Sequence, residues 1–497
     1  MKFSTETSIV VLRSKAQALW TESRRLRKEN KDLRGRLAAL GEDQAVVEEQ
    51  LERAKQREFG ASTERRPPAD KEPASKSDRE PVKGHGPRKQ PGLKEREVKC
   101  ELPADQRMCT CCGHERRPMG EAVEESNLIT IQVRGFERHI IQRVKYKCAC
   151  AQNAITVAPG PTRLQKGGLY SLAFAIEVSV AKFAHHMPLE RQVQIMRHEH
   201  LVIDAQTLWD QTHVLAKLFE ATWKAITAAI LRCPNIHCDE TRWPFLDGGK
   251  SKENKLWQAW GLVSPELVAF QILDSRSKEA GKKILGEYTG VVMADAYTVY
   301  TSLAAEAKTF VVANCWSHPR RRFVECEKNS PTHAAYAIGA IRALFAIEKK
   351  ATDENRAALR ATESKQVVDE LFAWAKKIRP TVLPRSGIGE SLTYLLNQEV
   401  GLRRFLENPH IPLSNNAAER ALRGLVLGRK NFYGSRSKRG TEVAAIMYTL
   451  MECAKLANIS PKAYLTAVAE AALRCPGAVL LPADFKAQHQ LPIAAAA

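Results

Sequence analysis

The sequence predicts an α/β protein of several domains, and three observations predict it. A leucine heptad repeat followed by a proline- and lysine-rich stretch sets the N-terminal part apart from the rest. Between Asn235 and Ala313, alternating or wholly apolar runs come in the order strand, strand, strand, helix, strand, strand. From Ser414 to Asn431, apolar residues return at helical spacing with one carboxylate at their margin. At 497 residues, about three to four domains is the reasonable prior.

The charge says what kind of partner to expect. Lys+Arg number 76 against 56 Asp+Glu, a formal net charge of +20. An excess of that size suits a polyanion, and nucleic acid is the usual one. No run of apolar residues is long enough to span a bilayer, so no membrane partner is expected. The opening MKFSTETSIVVLRSKAQ lacks the pattern of a secretory signal. Twelve cysteines, several clustered, point to a reducing cytosol and a metal site.

Residues 1–60 read as a dimerising coiled coil. Leu12, Leu19, Leu26, Leu33 and Leu40 recur at heptad spacing, with Asn30 in the facing column. Leucine at d with one Asn at a favours a two-stranded parallel pair. Glu22 with Arg27 and Glu29 with Arg34 have the spacing for charges that meet across it. The helix is expected to end near Phe59-Gly60. Residues 61–97 are a basic linker, too poor in apolar side chains to offset the entropy of ordering.

Residues 98–158 form a cysteine module. Cys109 and Cys112 make a C-x-x-C pair before Gly113, and Cys148 and Cys150 follow two alternating segments. Four thiolates flanking a hairpin suit one structural Zn²⁺. Cys111 or Cys100 are alternatives for one ligand, since the second pair is C-x-C. Residues 159–230 carry helical periodicity over Leu169 to His185, from Pro188 onwards, and again from Thr207. That order suits a helix-turn-helix-like DNA-binding region whose last helix enters the major groove.

In residues 231–318, NIHCDETR alternates His237, Asp239 and Thr241 onto one face and Ile236, Cys238 and Glu240 onto the other. Strands at Leu256 to Val263 and Leu267 to Leu273, a helix at Ser277 to Glu287, VVMADAY and a strand at Thr309 to Ala313 complete the order of a ribonuclease-H-like sheet. Asp239 and Asp295 would then lie side by side. Residues 319–413 are mostly helical, as an insertion in that core would be. Arg320, Arg321 and Arg322 at its start suit phosphate, and the C-x-x-H pair Cys315 and His318 reads as structural or DNA-contacting rather than metal-binding.

Residues 414–457 hold the second part of the core. Ala418, Ala421, Leu422, Leu425 and Val426 fall on one arc, with Glu419 at its edge and Arg423 one turn on. The paired Asn415 and Asn416 suit the helix N-terminus, where a side-chain oxygen can cap open N–H groups. Arg420, Arg423, Arg429, Lys430, Arg436, Lys438 and Arg439 form a dense basic run expected to contact DNA. Residues 458–497 give one more helix and a poorly patterned tail.

Three carboxylates on different elements have a joint use. Two Mg²⁺ (or Mn²⁺) ions about 4 Å apart can activate the attacking oxygen and stabilise the leaving one in phosphodiester displacement. Hard cations want oxygen ligands, and Asp239, Asp295 and Glu419 supply them.

HCDETRWPF, GVVMADAYTVY, CWSHPRRRF, NNAAERALRGLVLGRKNFYGS and LANISPKAYL, with MPLERQ and the cysteine module upstream, resemble the DDE transposases of the insertion sequence sixty-six family, in the family's order. The resemblance implies that Asp239, Asp295 and Glu419 are the catalytic triad of a bacterial, cytoplasmic and nucleoid-associated enzyme. It implies cleavage of element ends and their joining to target DNA, a homodimer or higher oligomer, and two small accessory proteins as partners. Ser414 departs from the family's aspartate at that place, and the C-x-C pair departs too. A DNA-binding regulator that has lost catalysis and a nuclease without strand transfer remain the alternatives.

Overall fold

The computed structural model describes residues 168–246 and 257–489 continuously, with 163–165 and short stretches between 50 and 157. The predicted coil (Leu12, Leu19, Leu26, Asn30, Leu33, Leu40) and zinc ligands (Cys109, Cys112, Cys148, Cys150) lie outside the described residues. Of the cysteine module, Lys145–Tyr146 pairs antiparallel with Thr156–Val157.

A five-stranded mixed sheet organises the chain. Its strands are β1 (Asn235–Trp243), β2 (Trp257–Val263), β3 (Val268–Leu273), β4 (Gly290–Ala294) and β5 (Phe310–Asn314), in the order β3-β2-β1-β4-β5. β1, β2 and β3 pair antiparallel, while β4 lies parallel to β1 and β5 parallel to β4. This arrangement is consistent with a ribonuclease-H-like core. β4 reads Gly-Val-Val-Met-Ala, the continuous apolar run a parallel strand needs when both its faces are covered.

Three helices precede the sheet: α1 (Leu172–Phe183), α2 (Leu189–His198) and α3 (Ala205–Ile230). Ser171 and Asp204 cap α1 and α3 by accepting from the N–H groups of Phe174 and Thr207. The third helix, the one expected to enter the major groove, packs its apolar stripe on the sheet. Its Leu215, Phe219, Ile226 and Ile230 enter the same core as Trp260 and Phe270, and Trp223 Nε1 donates to the Phe270 carbonyl at 3.2 Å. Its apolar stripe runs the whole length, and its outward charges mix Lys217 and Lys224 with Asp210 and Glu220. α2 also carries exposed basic and polar residues, at Arg191, Gln194 and Arg197.

α4 (Lys278–Leu285) and α5 (Thr298–Ala307) follow β3 and β4. After β5 come α6 (Ser317–Glu325), α7 (Pro331–Lys350), a helical turn with a π-helical turn over Arg356–Leu359 and Arg360–Ser364, α8 (Lys365–Ile378), α9 (Gly387–Asn397) and α10 (Glu399–Glu407). These build a second core around Trp316, Phe323, Ile341, Phe372 and Leu392, which reaches the sheet at Met293 and Ala313. Arg360, only 2% exposed, pairs with Glu348 and donates to the carbonyls of Phe405, Asn408 and Ile411 at 2.8–3.0 Å. A buried guanidinium needs that many acceptors. It ties the inserted helices to the segment leading into α11.

The chain closes with α11 (Asn416–Phe432), α12 (Lys438–Leu456), α13 (Pro461–Arg474) and α14 (Pro482–His489). α12 lies across β3, where Thr449 Oγ1 accepts from Phe270 N at 2.9 Å. α11 and α12 meet at Gly428: a Cβ there would overlap the Tyr448 hydroxyl, so only glycine permits this approach. The tail expected to be unpatterned forms α14, because Phe485 packs edge-on to Tyr464 (ring centroids 5.6 Å apart). No helix among the described residues is long and apolar enough to cross a membrane.

Candidate active site

The site is built where α11 lies along β1, fastened at three points. At its start, the buried Asn415 amide donates to the Cys238 carbonyl (2.8 Å), and its Oδ1 accepts from His237 Nδ1 (3.0 Å). Part way along, Arg429 donates to Thr241 Oγ1 (3.0 Å) and to the Arg242 carbonyl. Past its end, Ser435 N donates to the Pro244 carbonyl (3.1 Å) and its hydroxyl accepts from Trp243 Nε1 (3.1 Å). Asn415 therefore does not cap α11 with its side chain, as its place in the sequence suggested. Its amide is spent on the strand, where it satisfies buried polar groups.

The segment after β5 runs beside the one before α11. Trp316 N donates to the Leu413 carbonyl at 2.9 Å, and Asn415 N to Cys315 Sγ at 3.1 Å. Gly261 stands opposite Asp239 in the β1–β2 register, with Leu422 of α11 packed over it.

His237 is opposite Met293 in the parallel β1–β4 register, and Asp239 and Asp295 each come two residues further on. Glu419, on the first turn of α11, comes to the same side. The three are electrostatically linked: burial first, then the charges of Glu240, Asp295 and Glu419, push Asp239 up to about 7 from 3.8. Asp239 Oδ1 accepts the neighbouring Glu240 N–H (2.9 Å), and Asp295 Oδ1 accepts Tyr297 N (3.0 Å). Asn314 Nδ2 holds the Asp295 carbonyl at 3.3 Å.

Glu419 has its own surroundings. Its Oε1 is buried with no hydrogen-bond partner among the described residues. His318 Nε2 lies 3.8 Å from Oε1 and Arg321 3.9 Å from Oε2. Burial holds the pKa of His318 below its usual value against the pull of Glu419 and Asp295, so at neutral pH that contact is not an ion pair. Arg423, one turn on from Glu419 along α11, is exposed.

The basic residues divide into two sets. Arg420, Arg423, Lys430, Arg436 and Lys438 are exposed. On α11, Arg420, Arg423, Leu427 and Lys430 share one helical face. Others turn inward or already hold partners. Arg429 docks on β1, and Arg439 Nε donates to His213 Nδ1 (2.8 Å). Arg322 stacks on Tyr394 at 4.1 Å, and Arg321 faces Glu419. Arg320 also takes part in an interaction. A cavity of about 360 Å³ opens beside Asp295, walled by Arg276, Tyr297, His318, Arg321 and Tyr394.

Arg276 was not singled out in the sequence. It pairs with Glu240 (Nε to Oε1 2.7 Å) and stacks on Tyr297 at 3.8 Å, while the Tyr300 hydroxyl donates to Glu240 Oε2 at 2.9 Å. No local pattern links positions 240, 276 and 300. Cys315 and His318 did carry a signal, their C-x-x-H spacing.

Fold and donor set together describe an α/β protein whose clustered carboxylates suit hard divalent cations beside a basic surface. The chain belongs to the transposase IS66 family, whose sequence profile matches residues 167–443. Membership carries a transposase role in general, and with it the use of DNA and of divalent metal. The chain is 30% identical over 384 residues to uncharacterized protein y4jD of Sinorhizobium fredii (strain NBRC 101917 / NGR234), covering 74% of this chain and 75% of that one. It is 29% identical over 387 residues to y4hP of the same strain (72% and 69% covered), and 27% identical over 411 residues to y4qI (78% and 75%).

Proposed function

We propose that this chain is the subunit that cuts the ends of an insertion sequence and joins them to target DNA, with Asp239, Asp295 and Glu419 as its catalytic acids. The observation that carries the reading is Asp239: a half-buried carboxylate on a central strand, with further acids and no cation among the described residues acting on its charge. The donor set fits two Mg²⁺ or Mn²⁺ ions. Asp239 is held up at about 7 by burial and neighbouring acids, and Glu419 Oε1 lacks a hydrogen bond; a divalent cation relieves both. When bound, such ions activate the attacking oxygen and stabilise the leaving one.

The chain's own residues do the rest. Asp239 on β1 and Asp295, just past the end of β4, would hold the cations, and Asn415 would keep the start of α11 against β1 so that Glu419 completes the set. Exposed Arg420, Arg423, Lys430, Arg436 and Lys438 would neutralise backbone phosphates and make binding steeply salt-dependent. Water attacks the phosphodiester at the element end, freeing a 3′-hydroxyl that then attacks a target phosphodiester in line. The N-terminal coil would pair protomers, the Cys109, Cys112, Cys148 and Cys150 module would hold one structural Zn²⁺ and help recognise the ends, and two small accessory proteins would be partners.

The test is cleavage and joining of labelled end fragments with Mg²⁺ by the wild type and by Asp239→Asn, Asp295→Asn and Glu419→Gln. Each variant should bind the fragment and neither cut nor join it. Full cleavage by any one removes that residue from the triad. Binding without cleavage by the wild type would make the chain a regulator, and cleavage without joining of pre-cut ends would make it a nuclease.

A further inference from the structure

Next to the hard-oxygen cluster the fold assembles a second donor set of different chemistry. One ligand atom each of Cys315, His318 and Glu419 lie within 4.8 Å of one another. They come from the end of β5, the start of α6 and the first turn of α11, brought together where the segment around Cys315 runs beside that around Asn415. We infer that Cys315 Sγ, His318 and Glu419 Oε1 form a site for a thiophilic divalent cation of the Zn²⁺ class, and that its occupation draws Glu419 away from Asp239 and Asp295.

Three observations carry this. Cys315 is 1% exposed, yet its sulfur accepts hydrogen bonds from Asn415 N (3.1 Å) and from Ser317, more than a neutral thiol requires. Glu419 Oε1 and His318 Nδ1 are both buried without a hydrogen-bond partner among the described residues. Finally, the geometry is close: zinc with ligands about 2.0–2.3 Å away sets its donors roughly 3.3–3.7 Å apart. His318 Nε2 and Glu419 Oε1 are already at 3.8 Å.

The cavity beside His318 leaves room for water as fourth ligand. Thiolate with imidazole selects Zn²⁺, Co²⁺ or Cd²⁺ over Mg²⁺, which prefers oxygen. On binding, the thiol gives up its proton to solvent and the sulfur–metal bond takes its place. Cation binding at this site stands by itself; the inhibition that follows rests on Glu419 serving catalysis, as proposed above.

The experiment titrates Co²⁺ into the metal-stripped full chain and follows the thiolate-to-cobalt charge-transfer band. Zn²⁺ is then titrated against Mg²⁺-supported cleavage. Cys315→Ser should lose one equivalent of the band relative to wild type, and its cleavage, scaled to its own Mg²⁺-only rate, should need roughly 10–100-fold more Zn²⁺ for inhibition. His318→Gln, which spares the hydrogen bonds to the sulfur, should weaken Co²⁺ binding over the same range and covers the case of a serine variant that misfolds. A band and a Co²⁺ affinity unchanged by either substitution overturn the site. A band lost in Cys315→Ser while the wild type shows no Mg²⁺-supported cleavage upholds the site and sinks the transposase reading instead.

Discussion

Asp239 and Glu240 are consecutive on β1, and the pleat sends them to opposite faces of one sheet. Glu240 meets Arg276 and the Tyr300 hydroxyl, so its buried charge is answered inside the protein. Burial still raises its pKa, with Arg276 pulling the other way. Among the described residues the charged groups acting on Asp239 are further acids, which with burial push its pKa up to about 7. A buried carboxylate with its own arginine is structural, and removing it leaves the arginine unmatched. A buried carboxylate surrounded by acids destabilises the fold unless something outside the chain neutralises it. The contrast separates a carboxylate whose charge is answered inside the protein from one that, under the proposed function, a cation would neutralise.

Substitution should break the pair unequally. Asp239→Asn is expected to lower Mg²⁺-dependent cleavage by roughly 10³-fold or more, the rate equivalent of several kcal/mol of lost transition-state stabilisation, while Glu240→Gln keeps measurable cleavage. Equal losses in a gel-based assay would erase the distinction.

Stability should diverge next, through pH. The folded pKa of Asp239, about 7, lies above its unfolded value of 3.8. The native state therefore holds a proton that the unfolded chain has released. Its contribution is present below the unfolded pKa and disappears as pH rises to about 7, a loss of roughly 3–4 kcal/mol. Urea midpoints of metal-stripped protein should fall from pH 5 to pH 8 more in the wild type than in Asp239→Asn, and Mg²⁺ should restore the wild type at pH 8. Identical pH slopes would remove Asp239 as the cause.

Glu240→Ala should cost about 2–3 kcal/mol in the same denaturation experiment, below the range for a fully buried pair because the Arg276 side chain is 45% exposed. Smallest is Asn415→Ala, at about 1–3 kcal/mol for the unmet Cys238 carbonyl and His237. Its diagnostic is a fall in cleavage with DNA affinity retained, since α11 would lose its hold on β1; unchanged cleavage would show that Glu419 needs no such fastening.

Much of this site could be read along the chain. Strand order, the side of β1 that carries Asp239, and an acid at the margin of α11 are short-range matters of alternation and periodicity, and the strand limits agree within a residue or two. Partnerships across long separations could not be read. Asn415 looked like a helix cap, yet its amide reaches Cys238. Arg429 belonged to a basic run, yet it faces Thr241. The periodicity of α3 told of an apolar stripe but not that the stripe would pack on Phe270.

By itself the sequence determined which residues are acids, cations or sulfur, and which face of its own strand or helix each occupies, because those depend on covalent identity and local backbone geometry. Only the tertiary structure decided which charge would be answered. Arg276 finds Glu240 and not Asp239, and Glu419 shares its place with Cys315 and His318, because hydrogen bonds and Coulomb interactions act through space between elements that only packing brings together.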